Sequence, residues 1–75
     1  MLLSDIPIGK KVSIVDIKAE SALKKRLRTL GITKNRDVTV LEESIGKQNM
    51  KISFGSTEIA LRIDEARQIE VKEII

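Results

Sequence analysis

Neither histidine nor cysteine occurs among the 75 residues, so carboxylates, hydroxyls and cations are the groups left for chemistry. The commonest general base, the strongest neutral-pH nucleophile and the preferred ligands of zinc, copper and most iron sites are missing. Serines stand at positions 4, 13, 21, 44, 53 and 56 with no imidazole to activate them. Glu42-Glu43 is the obvious carboxylate pair, but neighbours on a strand point to opposite faces and cannot converge on one bond. They read as solvated charge at a strand end. The eleven acidic residues are scattered among cations. Glu58 with Asp64-Glu65 comes nearest to a metal cluster, and Arg62 and Arg67 are close enough in sequence to neutralise it. The glycines at 9, 31, 46 and 55 are too far apart to form a phosphate-cradling loop. The chain reads as a non-enzyme, with no catalytic residues, no cofactor and no tight metal site of its own.

The one dense group is cationic. Lys24, Lys25, Arg26 and Arg28 fill four of five consecutive positions. Leu23, Leu27 and Leu30 recur among them at helical spacing, which predicts an amphipathic helix over Ala22–Leu30 with one stripe on a core and the rest in water. Ser21 is its expected cap, and Gly31 its left-handed stop. Three readings of the cations compete. They form a solvated face, reaching acids such as Glu20; they dock a protein, with forked guanidinium bonds to carboxylates; or they neutralise nucleic-acid phosphates. The last lacks stacking platforms, since Phe54 is the sole aromatic residue and reads as core. Protein docking through Lys24, Lys25, Arg26 and Arg28 is the favoured reading.

The elements that position this helix are mostly strands. Ser4 or Asp5 caps a first turn, with Pro7 in its early positions and Gly9 ending it. Lys11–Lys18 reads as a strand whose apolar phase changes, Val12 and Ile14 on one face and Val15 and Ile17 on the other, which predicts a bulge or sharp bend. Val38 and Val40 mark a second strand, and Met50, Ile52 and Phe54 a third, joined by a loop from Glu43 to Asn49. Gly55-Ser56 is a two-residue hairpin signal. Ile59, Leu61 and Ile63 then face inward, Asp64 caps a turn over Glu65-Ala66-Arg67, and Ile69-Glu70-Val71 opens a last strand trailed by Ile74 and Ile75. The pattern predicts a mainly β, small, partly open barrel of about five strands, with one amphipathic helix between strands 1 and 2 and short helical turns near the N-terminus and before the last strand.

Composition agrees with one domain over residues 1–75. Apolar residues make up 41% and charged residues 33%, a balance that permits a folded core and argues against disorder. No apolar run reaches the ~18 residues that a spanning helix needs, and no basic and apolar leader opens the chain, so a cytosolic domain is expected. The formal net charge of +3 is too small to choose between nucleic acid and protein as partner.

Four fragments, in order and at the right spacing, resemble the FeoA family. Leu3-Ser4-Asp5-Ile6-Pro7-Ile8-Gly9 is similar to that family's "LSDLPxG" opening, and Leu30-Gly31-Ile32-Thr33 to its "LGLTPG" element. Glu58-Ile59-Ala60-Leu61-Arg62 is similar to its "xxLALR" strand, and Asp64-Glu65-Ala66 to the acidic turn that follows. Lys34-Asn35 replaces the usual Pro-Gly, and asparagine tolerates the left-handed backbone required there. The resemblance covers the whole chain and implies an SH3-like barrel decorated by helices. It further implies a cytoplasmic, non-enzymatic accessory of bacterial ferrous iron uptake, in a transition-metal setting. The implied partner is the cytosolic region of the membrane transporter FeoB. Two other classes stay open: a basic nucleic-acid-binding or transcription-related SH3-like module, and a domain that self-associates through Ile69–Ile75.

Overall fold

The computed structural model describes residues 1–44, 46 and 48–74. A 3-10 turn at Leu3–Asp5 is followed by β1 (Lys11–Ile17), α1 (Ser21–Thr29), β2 (Asp37–Glu43), β3 (Asn49–Phe54), β4 (Thr57–Arg62), α2 (Ile63–Ala66) and β5 (Ile69–Glu73). The strands form an antiparallel sheet in the order β4-β3-β2-β1-β5. Two-residue alternation sets its faces: Met50, Ile52 and Phe54 of β3, and Val38 and Val40 of β2, all turn inward. The bulge expected in β1 is present. The register with β5 shifts between Ile14 and Asp16, which leaves Val15 on the outside and returns Ile17 to the core. A second shift, between Val40 and Glu42 at Leu41, was not foreseen. Both kinks curve the sheet around one core, which Leu3, Ile6, Leu27, Ile32, Ile63 and Ala66 complete from outside the strands.

The connections follow local chemistry. Gly55-Ser56 makes the expected two-residue hairpin, with Phe54 opposite Thr57. Among the described non-glycine residues only Asn35 has a positive φ, at 68°, and its N–H donates to the Ile14 carbonyl at 2.8 Å. Three expected caps are corrected. The first turn begins at Leu3 rather than after Ser4 or Asp5, because Pro7 keeps Ile6 extended (φ −83°, ψ 129°) and so ends the turn before it. Ser21 is itself helical, and Glu20 holds the cap position without a side-chain bond. In α2, Glu65 replaces Asp64 as the capping group, its Oε1 accepting the Arg62 N–H at 3.0 Å. Of the loop between β2 and β3, Ile45 and Lys47 lie outside the described residues, as does Ile75 at the end of the chain.

Both outer strands are partly covered. Leu2 bridges Glu70, and the Val71 N–H donates to the Met1 carbonyl at 2.8 Å, so the N-terminal residues lie along β5. On β4, Thr57, Ile59 and Leu61 bond to β3, leaving Glu58, Ala60 and Arg62 to face outward. The Arg62 N–H is already taken by Glu65.

Candidate functional site

Helix α1 is held by few but well-placed contacts. Leu27 is 0% exposed, and Leu23 packs half-buried against the core. Leu30, expected as a third anchor, is 38% exposed, because the helix ends at Thr29 and the chain turns at Gly31. Ile32, just past the turn, takes the buried place instead. The Gly31 N–H donates to the Arg28 carbonyl at 3.0 Å and the Ile32 N–H to the Leu27 carbonyl at 2.9 Å. These are the two bonds of a Schellman stop.

The four cations are not equivalent. Arg26 bonds through Nη1 to Glu65 Oε2, which ties α1 to α2. Lys24, Lys25 and Arg28 form no ion pair among the described residues, and Glu20, expected to meet the helix cations, forms none either. The acids that came nearest to a metal cluster are divided among three cations: Asp64 with Arg67 at 3.2 Å, Glu58 with Lys51 at 3.6 Å, and Glu65 with Arg26.

Glu65 joins the Arg26 guanidinium and the Arg62 main-chain amide through one carboxylate. The Arg62 backbone N–H is the main influence holding its carboxyl below the ordinary value of 4.5; partial desolvation opposes this, and the Arg26 guanidinium adds to the lowering. A depressed carboxyl stabilises the fold at pH above its unfolded value and loses that stabilisation as pH falls through the folded one. Glu65→Gln therefore costs about 1 kcal/mol at pH 7. In urea melts between pH 7 and pH 3, the variant shows a shallower fall in stability below about pH 4.5 than the native chain. Equal slopes would show that the carboxylate is not held by these bonds.

Lys24 and Arg28, one helical turn apart, line a groove of about 400 Å³ together with Thr33 and Lys34, with Ile17 and Ile32 buried beneath it. Lys34 lies 3.7 Å from Asp16 across an exposed gap. Lys25 lies outside the groove lining. Thr33 and Lys34 belong to the turn element after the helix and were absent from the cationic set, because their spacing along the chain does not place them beside Lys24 and Arg28. They join the cations only because the Gly31 stop folds the chain back past the helix. Phe54 offers no stacking surface: it is 7% exposed, with the Arg36 guanidinium carbon 4.9 Å from its ring centroid.

Comparison with known proteins is consistent along the whole chain. A Campylobacter jejuni protein named as an Fe(2+) transport protein A is 32% identical over 74 residues, covering 99% of this chain and 100% of the relative. A Helicobacter pylori protein of the same name is 34% identical over 74 residues, covering 97% and 95%. The zinc-complexed FeoA of Stenotrophomonas maltophilia, described as a prokaryotic SH3 domain protein, superposes with a TM-score of 0.79 at 32% identity over 96% of this chain and 89% of that one. The FeoA of Chlorobium tepidum gives 0.93 at 24% identity, over 100% and 71%. The metal-dependent transcriptional regulator MtsR gives 0.86 at 19% identity, over 99% of this chain and 36% of its own, which is a likeness of fold. The barrel is thus SH3-like, as expected. The pattern of the FeoA domain itself matches from residue 1 to residue 73, and the chain belongs to the FeoA family.

Proposed function

We propose that the protein is a non-enzymatic accessory of bacterial ferrous iron uptake, working in the cytoplasm by contact with the cytosolic region of FeoB through the cationic face of α1. Family membership and the names of the relatives support the pathway. The Stenotrophomonas maltophilia relative is described as a candidate ferrous iron transport activating factor. Among the described residues no helix is long and apolar enough to cross a membrane. One observation carries the choice of surface: Lys24, Lys25 and Arg28 crowd a nine-residue helix with no carboxylate paired to them among the described residues. Like charges at this spacing cost a helix about 0.2–0.5 kcal/mol per pair, a cost that an outside anion would offset. Arg26 serves mainly to fix the helix through Glu65.

Lys24→Glu, Lys25→Glu and Arg28→Glu together should abolish pull-down of the transporter's cytosolic region while leaving the circular dichroism melt intact. Undiminished capture would remove α1 as the contact. Gel shifts with duplex DNA and single-stranded RNA at ~150 mM salt separate the competing nucleic-acid reading, since phosphate-driven binding falls steeply as salt rises. Binding that survives there and depends on the same cations would favour it.

A further inference from the structure

We propose that the hollow between the β3–β4 ladder and the start of α2 binds a small oxyanion, the phosphate or carboxylate of a soluble hydroxylated molecule, with Arg62 as its principal ligand. The hollow measures about 580 Å³ and is lined by Gln48, Asn49, Arg62, Ile63, Asp64 and Arg67. None of these belongs to α1, so the site is separate from the docking face. Arg62 ends β4, and Asn49 stands directly opposite it on β3, so both side chains leave the sheet on the same face.

The backbone beneath them is fixed. The Ile63 N–H donates to the Gln48 carbonyl at 2.9 Å, the Asn49 N–H to Ser44 Oγ at 3.0 Å and the Ser44 N–H to the Asn49 carbonyl at 2.9 Å. These bonds occupy main-chain groups and leave the side chains above them open. Among the described residues the Arg62 guanidinium and the carboxamides of Gln48 and Asn49 have no hydrogen-bond or ion-pair partner, and all three residues are exposed. Arg67 gives one Nη to Asp64 at 3.2 Å and keeps its other donors. Guanidinium forks take two oxygens of a phosphate or carboxylate in parallel bonds, and a carboxamide N–H reaches a further oxygen. Each carboxamide also offers a carbonyl, which matches a hydroxyl on the body of the ligand. Two guanidiniums against the single Asp64 carboxylate leave net positive charge in the hollow, and the space suits a small molecule. A nucleic-acid backbone needs a track of cations, which Glu58 and Asp64 interrupt on this face.

The test titrates the isotope-labelled full chain with glycerol phosphate and with glycerate at constant ionic strength, using glycerol and sodium chloride as blanks. Saturable NMR shifts are expected at the Arg62 and Arg67 Nε–H and at the Gln48 and Asn49 carboxamides with at least one of the anions and with neither blank. The tighter anion identifies the group. Arg62→Gln should weaken binding about tenfold or more, because charge-assisted bonds are lost. Arg62→Lys should restore part of it, since an ammonium keeps the charge without the fork. Asp64→Asn should tighten binding about threefold, by freeing Arg67 and removing a carboxylate that repels the ligand. Asp64 does not cap α2, so that variant keeps its fold, and circular dichroism melts check all three. The proposal is overturned if the anions shift nothing, if their shifts centre on Lys24, Lys25 and Arg28, or if a blank reproduces them. It is equally overturned if Arg62→Gln binds as tightly as the native chain or Asp64→Asn fails to bind more tightly. Phosphatidylglycerol vesicles or an oligonucleotide that move these resonances while the soluble anions do not would also overturn it.

Discussion

Leu27→Ala lowers the unfolding free energy by about 2–5 kcal/mol, because the side chain is fully buried and its removal leaves a cavity at the helix–sheet contact. A domain of 75 residues has a total of about 4–11 kcal/mol to lose, so the substitution removes between about a fifth and all of it. At about 4–8 °C per kcal/mol, the midpoint of a thermal melt drops by roughly 10 °C or more. Leu30→Ala is the matched control: its side chain is substantially exposed and should cost well under about 1 kcal/mol. Melts of the two variants that coincide would show that α1 is not anchored through Leu27. The contrast also separates loss of partner binding through misplacement of the helix from loss through its charges.

Gly31→Ala is the second large effect, and its two causes can be separated. The backbone at Gly31 has φ +99°, where a β-carbon costs about 1–2 kcal/mol. That carbon would also sit 3.0 Å from Phe54 Cε2 and 3.2 Å from Phe54 Cζ, within a packed contact, adding about 1–3 kcal/mol of overpacking. Gly9→Ala carries the backbone penalty alone, since φ there is +89° and no atom lies within 4 Å of the added carbon. Urea melts should place Gly31→Ala at about 2–5 kcal/mol and Gly9→Ala at about 1–2 kcal/mol. If the two cost the same, the close approach to Phe54 has no energetic consequence. A double-mutant cycle with Phe54→Leu should show coupling between positions 31 and 54, as expected of residues in contact.

Where sequence reading succeeded, the signal was local. The phase change from Val12 and Ile14 to Val15 and Ile17 announced the bulge, because one extra residue is the simplest way to keep both ends of a strand on one core, although Val15 itself is left outside and only Ile17 returns to it. Asn35 at positive φ and the Gly55-Ser56 hairpin followed from turn chemistry. The misses were contacts between distant segments. Glu65 looked like one acid of a weak cluster, yet the fold places it between Arg62 and Arg26, 39 residues from the latter. Lys34 and Thr33 looked like loop residues until the chain reversal at Gly31 set them beside Lys24 and Arg28. Leu30 fitted the helical stripe, but the helix stopped one residue short of it. Of the four cations read as one surface, the structure ties Arg26 to Glu65 of α2, which sequence spacing could not reveal.

The way the two outer strands finish bears on how this molecule meets others. Met1 and Leu2 shield β5, and along β4 the Glu65 carboxylate occupies the Arg62 amide, while the Arg62 carbonyl opens α2. On β4 a foreign strand finds the short Glu58–Ala60 stretch on which to zip, flanked by charge. Main-chain pairing with another strand is therefore offered over short lengths of edge. Recognition falls to side-chain charge and relief, so affinity should answer to salt and to single substitutions, and concentrated solutions of the protein should stay free of fibrils.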